Sequence, residues 1–201
     1  MNPVEDVYGV RFFRGRHRLS WRAPYVCGGI IESLNLEKGS SVIDVGCAVG
    51  DLVSEFISLG YKAEGIEGSK HTQDYYMAPA ETLTIHDMRE YLDVVDMAVP
   101  YDVALCLEVA EHIDAERADV FVFNLCVLSD LVILSAAPPG QDGLGHVNCQ
   151  MPEYWHDKFR VNGFSFNPHL TNEIKQKWTR WRKKPGIKAY FNNLMVFKKK
   201  G

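Results

Sequence analysis

The segment Ser41 to Gly50 constrains the fold of this chain most. A short strand pattern, Ser41-Val42-Ile43-Asp44-Val45, runs straight into the turn Gly46-Cys47-Ala48-Val49-Gly50, and a helical pattern follows. Small residues at 46, 48 and 50 leave room for a ligand to approach the backbone. The helix that follows offers N–H groups with no intrahelical partner. In open α/β sheets, ligands bind outside the carboxyl ends of the strands, where such a turn sits.

The same alternation continues along the chain. Leu52, Val53, Phe56 and Ile57 share one face of a helix predicted over Gly50–Leu59, and Gly60 stops it. Strands are predicted over Tyr61–Glu67, Glu81–His86, Asp102–Leu107 and Asp130–Ala136. A helix is predicted over Asp114–Leu128, with Asp114 as its N-cap candidate. Ala23–Leu36 and Met151–Asn162 read as flanking helices, the second with Pro152 in its first turn. Phe164–Phe166 and Asn193–Lys198 read as a closing strand pair. The expectation is an α/β fold: a seven-stranded, mostly parallel sheet with helices on both faces and an antiparallel last strand.

Composition excludes several other classes. Apolar residues make up 46% of the 201 and charged residues 24%, as in ordinary globular proteins. No apolar run approaches the ~20 residues that span a bilayer. The start, Met1 to Asp6, lacks a basic and apolar signal pattern, so the expected location is the cytoplasm without a membrane partner. The five cysteines are odd in number and form no C-x-x-C pair, which argues against a disulfide framework or a zinc knuckle.

The turn also discriminates among nucleotide cofactors. A dinucleotide fingerprint needs a third small residue, and counted from Gly46 that position is the charged Asp51. No Walker Lys-Ser/Thr pair follows the turn. Asp44 would repel a pyrophosphate and attract a cation. Glu67 lies 23 positions after Asp44 at the end of the second strand, where a carboxylate can accept from both ribose hydroxyls.

Residues 40–136 resemble the cofactor-binding core of the class I, Rossmann-like methyltransferases that use S-adenosylmethionine (SAM). Ala48 departs from the family pattern, which usually has Gly there. The resemblance implies that Asp44 contacts the methionine amino group, that Glu67 binds the ribose, and that Asp87, with Met88 beside it, caps the adenine. Gly46, Cys47, Ala48, Gly50, Gly68, Leu107 and Glu108 complete the expected cofactor set. A single domain over 1–201 is expected: a helical extension at 1–39, the SAM-binding core at 40–136, and an acceptor-side loop, helix and strand pair at 137–201.

Glu108, Glu111 and His112 follow the fourth strand. In a helical turn their spacing of three and four places them on one face. They then form either a hydrogen-bonded wall of the site or, with His146, a site for a divalent cation. The segment resembles the E-x-x-E-H motifs of small-RNA 3′-end methyltransferases and ubiquinone-pathway O-methyltransferases, and that resemblance implies a magnesium-type ion that acidifies a substrate hydroxyl. His146 lies in the glycine-containing loop after the fifth strand and is the candidate general base, with His112 and Glu108 as further catalytic candidates.

Charge is unevenly spread. Residues 1–22 carry five Arg and two acids, residues 173–201 carry ten Lys or Arg and one acid, and the body between them has 7 basic and 23 acidic residues. Aromatic residues interleave with the cations at Arg11–Arg18 and Lys175–Lys184. Three readings follow: anchors for the chain ends, a lid over a small acceptor, or a single-stranded nucleic-acid surface. Accordingly the leading function is methyl transfer to an oxygen or nitrogen of a small-molecule or sugar-like acceptor. The alternatives are an RNA methyltransferase using the basic termini and a non-catalytic SAM- or partner-binding subunit.

Overall fold

The computed structural model describes residues 8–95 and 97–201. The strands are β1 (Ser41–Val45), β2 (Lys62–Glu67), β3 (Leu83–Ile85), β4 (Val103–Leu107), β5 (Leu131–Ser135), β6 (Phe164–Phe166) and β7 (Leu194–Lys199). They form one sheet in the order β3-β2-β1-β4-β5-β7-β6. β1 to β5 pair in parallel, and β7 runs antiparallel to both of its neighbours. The expected seven-stranded sheet with an antiparallel last strand is therefore present.

The helices are α1 (Val10–His17), α2 (Ala23–Leu34), α3 (Asp51–Ser58), α4 (Ala118–Leu128), α5 (Pro152–Val161), α6 (Pro168–Trp178) and α7 (Lys188–Asn193). Period-two alternation sends each strand's side chains to opposite faces. Ile43, Val45, Ala104, Cys106, Val132 and Leu134 pack with Phe121 and Leu125 of α4 and Trp155 and Phe159 of α5. Val42, Val103, Leu105 and Ile133 pack with α2, α3 and α6 through Ile30, Phe56, Ile174 and Trp178. Asp44 falls on this second face and is buried between strand and helices.

Several boundaries differ from expectation. Residues Ala115–Arg117 form a 3-10 turn ahead of α4, and the Asp114 side chain caps nothing, so it is not the N-cap predicted for that helix. The predicted third strand shortens to three residues because Ala80–Thr82 take a 3-10 turn. α6 occupies a stretch read from sequence only as basic and aromatic. Its signals were present: the Asn167 side chain accepts from the Leu170 amide, Pro168 opens the helix, and Leu170, Ile174 and Trp178 fall four residues apart.

The chain ends spend their aromatic residues on packing. Phe13 and Trp178 are fully buried, and Trp181 lies over Tyr25 with ring centroids 4.0 Å apart. Among the described residues, no helix is long and apolar enough to cross a membrane.

Candidate active site

β1, β2 and β4 end together at the point where the strand order reverses. A cavity of about 560 Å³ opens there, within the ~300–1,000 Å³ typical of small-molecule sites. Gly46, Ala48, Glu67, Gly68, Asp87, Met88, Glu108, Glu111, His112 and His146 all line it. Asp44, Cys47, Gly50 and Leu107 do not reach the cavity wall and stand behind it.

The turn after β1 is held from several sides. Gly46, Ala48 and Gly50 all have positive φ, at 75°, 49° and 67°. The Gly46 and Cys47 amides donate to the Ile66 carbonyl at 2.8 and 3.1 Å. A Cβ on Gly46 would overlap Val109. The Thr72 hydroxyl donates to the Ala48 carbonyl. Glu67 accepts from three backbone amides, Ala48 at 3.0 Å, Gly68 at 2.8 Å and Ser69 at 3.2 Å. Burial raises the Glu67 carboxyl above its ordinary range, and these amides oppose the shift.

Behind the turn lies a charged cluster that sequence reading did not assemble. Arg22 and Asp51 are both buried, with Nη2 and Oδ1 3.4 Å apart. Arg22 also lies over the Tyr190 ring, 5.3 Å from its centroid. Arg22 Nε and Nη1 and Asp51 Oδ2 are buried without hydrogen-bond partners. Burial first, then the nearby Asp51, pushes the Asp44 carboxyl up to about 7, with Arg22 opposing. Tyr190, Gly186 and Leu19, which border this cluster, face the cavity. Such unpaired buried groups are costly, and a zwitterion carrying both an ammonium and a carboxylate would satisfy them. The donor set therefore fits the amino-acid end of SAM.

Across the cavity, Asp87 is engaged by Arg89, whose Nε lies 2.9 Å from Oδ1 and whose Nη2 lies 2.6 Å from Oδ2. Burial opposes ionisation of Asp87, but these bonds prevail and hold it below its ordinary value. Met88 is buried beside it.

The Glu-His segment departs from the expected geometry. Ala110–His112 form a 3-10 turn, and Glu108 has a φ of 57°. Glu108 consequently leaves the face shared by Glu111 and His112. Its carboxylate accepts from Gln141 Nε2 at 2.7 Å and Asn193 Nδ2 at 3.0 Å, while the other three residues of the expected metal set stay together. One potential ligand atom each from Glu111, His112 and His146 lie within 4.8 Å of one another.

Glu111 is fully buried, and neither carboxylate oxygen has a hydrogen-bond partner. Burial, then Glu108, holds it well above the usual carboxylate range. Burial pushes His112 down to about 4, so its ring is neutral near pH 7. Its Nδ1 lies 2.6 Å from the Tyr8 hydroxyl and 3.0 Å from the Gly145 carbonyl. His146 Nδ1 lies 2.9 Å from the Gln141 carbonyl, which can only accept, so Nδ1 carries the proton. Nε2 is left as the basic nitrogen, 3.8 Å from Glu111 Oε1. Tyr8, Phe12 and Arg16 line the same cavity from the N-terminal segment. Sequence reading missed them as site residues because only long-range packing brings them here.

Residues 18–120, just over half of the chain, match the protein family described as the methyltransferase domain. The chain belongs to the SAM-dependent methyltransferase family. It is similar to the ubiquinone biosynthesis O-methyltransferase of Rickettsia bellii, 26% identical over 112 residues, which are 54% of this chain and 46% of that one. The Rickettsia typhi enzyme of the same name is 30% identical over 103 residues, covering 48% and 41%. The matched region thus spans less than half the length of these curated relatives. Among solved structures, the sugar N-methyltransferase KedS8 from a Streptoalloteichus species has a TM-score of 0.66 at 16% identity, covering all of this chain and 94% of that one. Magnesium protoporphyrin IX methyltransferase from Synechocystis, solved with bound S-adenosylhomocysteine (SAH), has a TM-score of 0.56 at 23% identity, covering 81% and 83%. These two likenesses bear on the methyltransferase's fold.

Proposed function

We propose that this methyltransferase moves the methyl group of SAM to an oxygen or nitrogen of a small-molecule or sugar-like acceptor. The observation that carries the reading is the buried Arg22–Asp51 pair behind the β1 turn, with Asp44 near it and with Arg22 Nε, Arg22 Nη1 and Asp51 Oδ2 left without hydrogen-bond partners. When bound, SAM supplies a methyl group on a cationic sulfur. Asp44 and Asp51 would attract its ammonium and Arg22 its carboxylate. Glu67 would face the ribose hydroxyls, and Asp87 with Met88 the adenine. Gly46 and Ala48 of the turn and Gly68 after β2 shape the floor, with Cys47, Gly50 and Leu107 behind them.

On the acceptor side, His146 takes the proton at Nε2, and His112 orients the acceptor. Glu108 holds the loop after β5 through Gln141 and α7 through Asn193. Methyl transfer depends chiefly on holding the reacting atoms in line, roughly 3–3.5 Å apart, so rigidity of this wall matters. Asp44→Ala is expected to abolish SAM binding in calorimetry, and an unchanged affinity would overturn the cofactor assignment. His146→Ala is expected to lower turnover by roughly 10²–10⁴-fold with SAM affinity nearly intact.

A second reading concerns a divalent cation. Its support is Glu111, buried with both oxygens unpartnered and grouped with His112 and His146. A magnesium-type ion there would acidify an acceptor hydroxyl. Turnover that survives EDTA in full would eliminate this reading and leave His146 as the base.

A further inference from the structure

A second cavity of about 540 Å³ lies beyond the loop after β5, between the first turns of α5 and α6 and the start of β7. Pro138, Met151, Phe166 and Met195 give it apolar walls. The described residues that line it include no Asp or Glu. Two basic side chains, Lys175 and His156, are among its lining instead. Lys175 Nζ donates to the Asn192 carbonyl at 3.2 Å, which uses one of its three N–H bonds. The His156 ring is clamped against Phe166, with centroids 4.4 Å apart, and its Nε2 is buried without a hydrogen-bond partner. Burial lowers the pKa of both groups. Glu153 and Asp157, on the same helix as His156, oppose that shift but do not line the cavity.

We propose that this cavity binds a small organic anion, a compact apolar body ending in a carboxylate or phosphate, with Lys175 and His156 on the oxyanion. An apolar pocket with a few convergent polar groups is the usual form of a small-molecule site. Its chemistry is opposite to that of the first cavity, where carboxylates converge for a cationic cofactor. The two are separated by one layer of side chains. Asn193 lines the second cavity and donates to Glu108 and to Gln141 Oε1, both of which line the first. An occupant of the second cavity therefore rests against the wall that shapes the acceptor side.

The test follows histidine ring resonances by NMR, with His156 assigned from a His156→Gln spectrum. Phenyl phosphate and benzoate are titrated into the full chain, with and without saturating SAH. The expected result is a saturable shift of the His156 signals by either ligand, unaffected by SAH. Lys175→Met is expected to weaken binding by about tenfold or more, and Lys175→Arg to retain it. A shift with only one ligand selects carboxylate or phosphate within the proposal. No shift at His156 with either ligand up to about 10 mM would overturn it. Displacement by SAH, or equal binding by Lys175→Met, would overturn it too. The titration needs no turnover, so its result stands apart from the methyl-transfer reading.

Discussion

Ala48 is the residue whose identity and conformation disagree most clearly. Its φ of 49° lies in the left-handed region, where a Cβ costs roughly 1–2 kcal/mol. The cost is met by Glu67 on its amide and Thr72 on its carbonyl. Ala48→Gly should therefore match or exceed the wild type in stability by up to about 1 kcal/mol, read as a rise in Tm, with SAM affinity kept. A drop in Tm would show that the methyl group packs more favourably than its backbone conformation suggests. Glu108 shares the left-handed conformation, but four hydrogen bonds hold it: its amide to the Ser135 carbonyl and hydroxyl, and its carboxylate to Gln141 and Asn193. The candidates Asp44, Glu67 and His146 were legible because each sits at a strand end or in a loop that the pattern itself locates. Arg22 was not, because nothing local distinguishes it from the other arginines of the basic N-terminal stretch.

At the scale of elements, the contact between α2 and α6 decides how the chain ends are used. Gly29 of α2 leaves the space that Trp178 of α6 fills, and the Trp178 Nε1 donates to the Val26 carbonyl at 3.3 Å. A Cβ on Gly29 would lie 2.5 Å from Trp178 Nε1. Gly29→Ala is thus expected to destabilise by about 1–3 kcal/mol, against the gain that alanine brings to an open helix. Urea denaturation checks the sign, and a stabilised variant would mean that Trp178 moves aside freely. The loop after β5 is tied down in a comparable way. The Val147 and Asn148 amides both donate to the Glu111 carbonyl at 3.0 Å, which carries His146 across to His112.

For the molecule as a whole, buried acids gather in and behind the first cavity. Asp44, Glu67 and Glu111 all have carboxyls raised by burial. Asp44 rises from an unfolded value of about 3.9 to about 7. Between those values the folded chain holds a proton that the unfolded chain has lost, so stability falls as pH rises. This contribution is complete below the unfolded value and is gone above about 7, a change on the order of a few kcal/mol. The unliganded protein should accordingly be more stable near pH 5 than near pH 8. Asp44→Asn should flatten that slope and raise Tm at about pH 8, while losing affinity for SAM. Equal slopes in the two proteins, measured by calorimetry at several pH values, would remove Asp44 as the source. SAH at a concentration of 100 Kd should stabilise the wild type by about 2.7 kcal/mol.

The amino-acid order alone settled the features that depend on neighbours in sequence. Alternating apolar residues define the strands, small residues at 46, 48 and 50 define the turn, and the offset from Asp44 to Glu67 follows from one strand-helix-strand unit. Tertiary packing decided what no local pattern encodes. It set Arg22 against Asp51, brought Tyr8 to His112, turned Glu108 away from Glu111, and left Lys175 and His156 around a cavity of their own. The physical reason is range. Strand and turn preferences arise from backbone sterics within a few residues, whereas the charged clusters join segments 29 to 104 positions apart, and only burial makes those pairings count. The glycine turn, Asp44 and Glu67 could be read from the chain, but the approach of Arg22 to Asp51 and of Tyr8 to His112 could not.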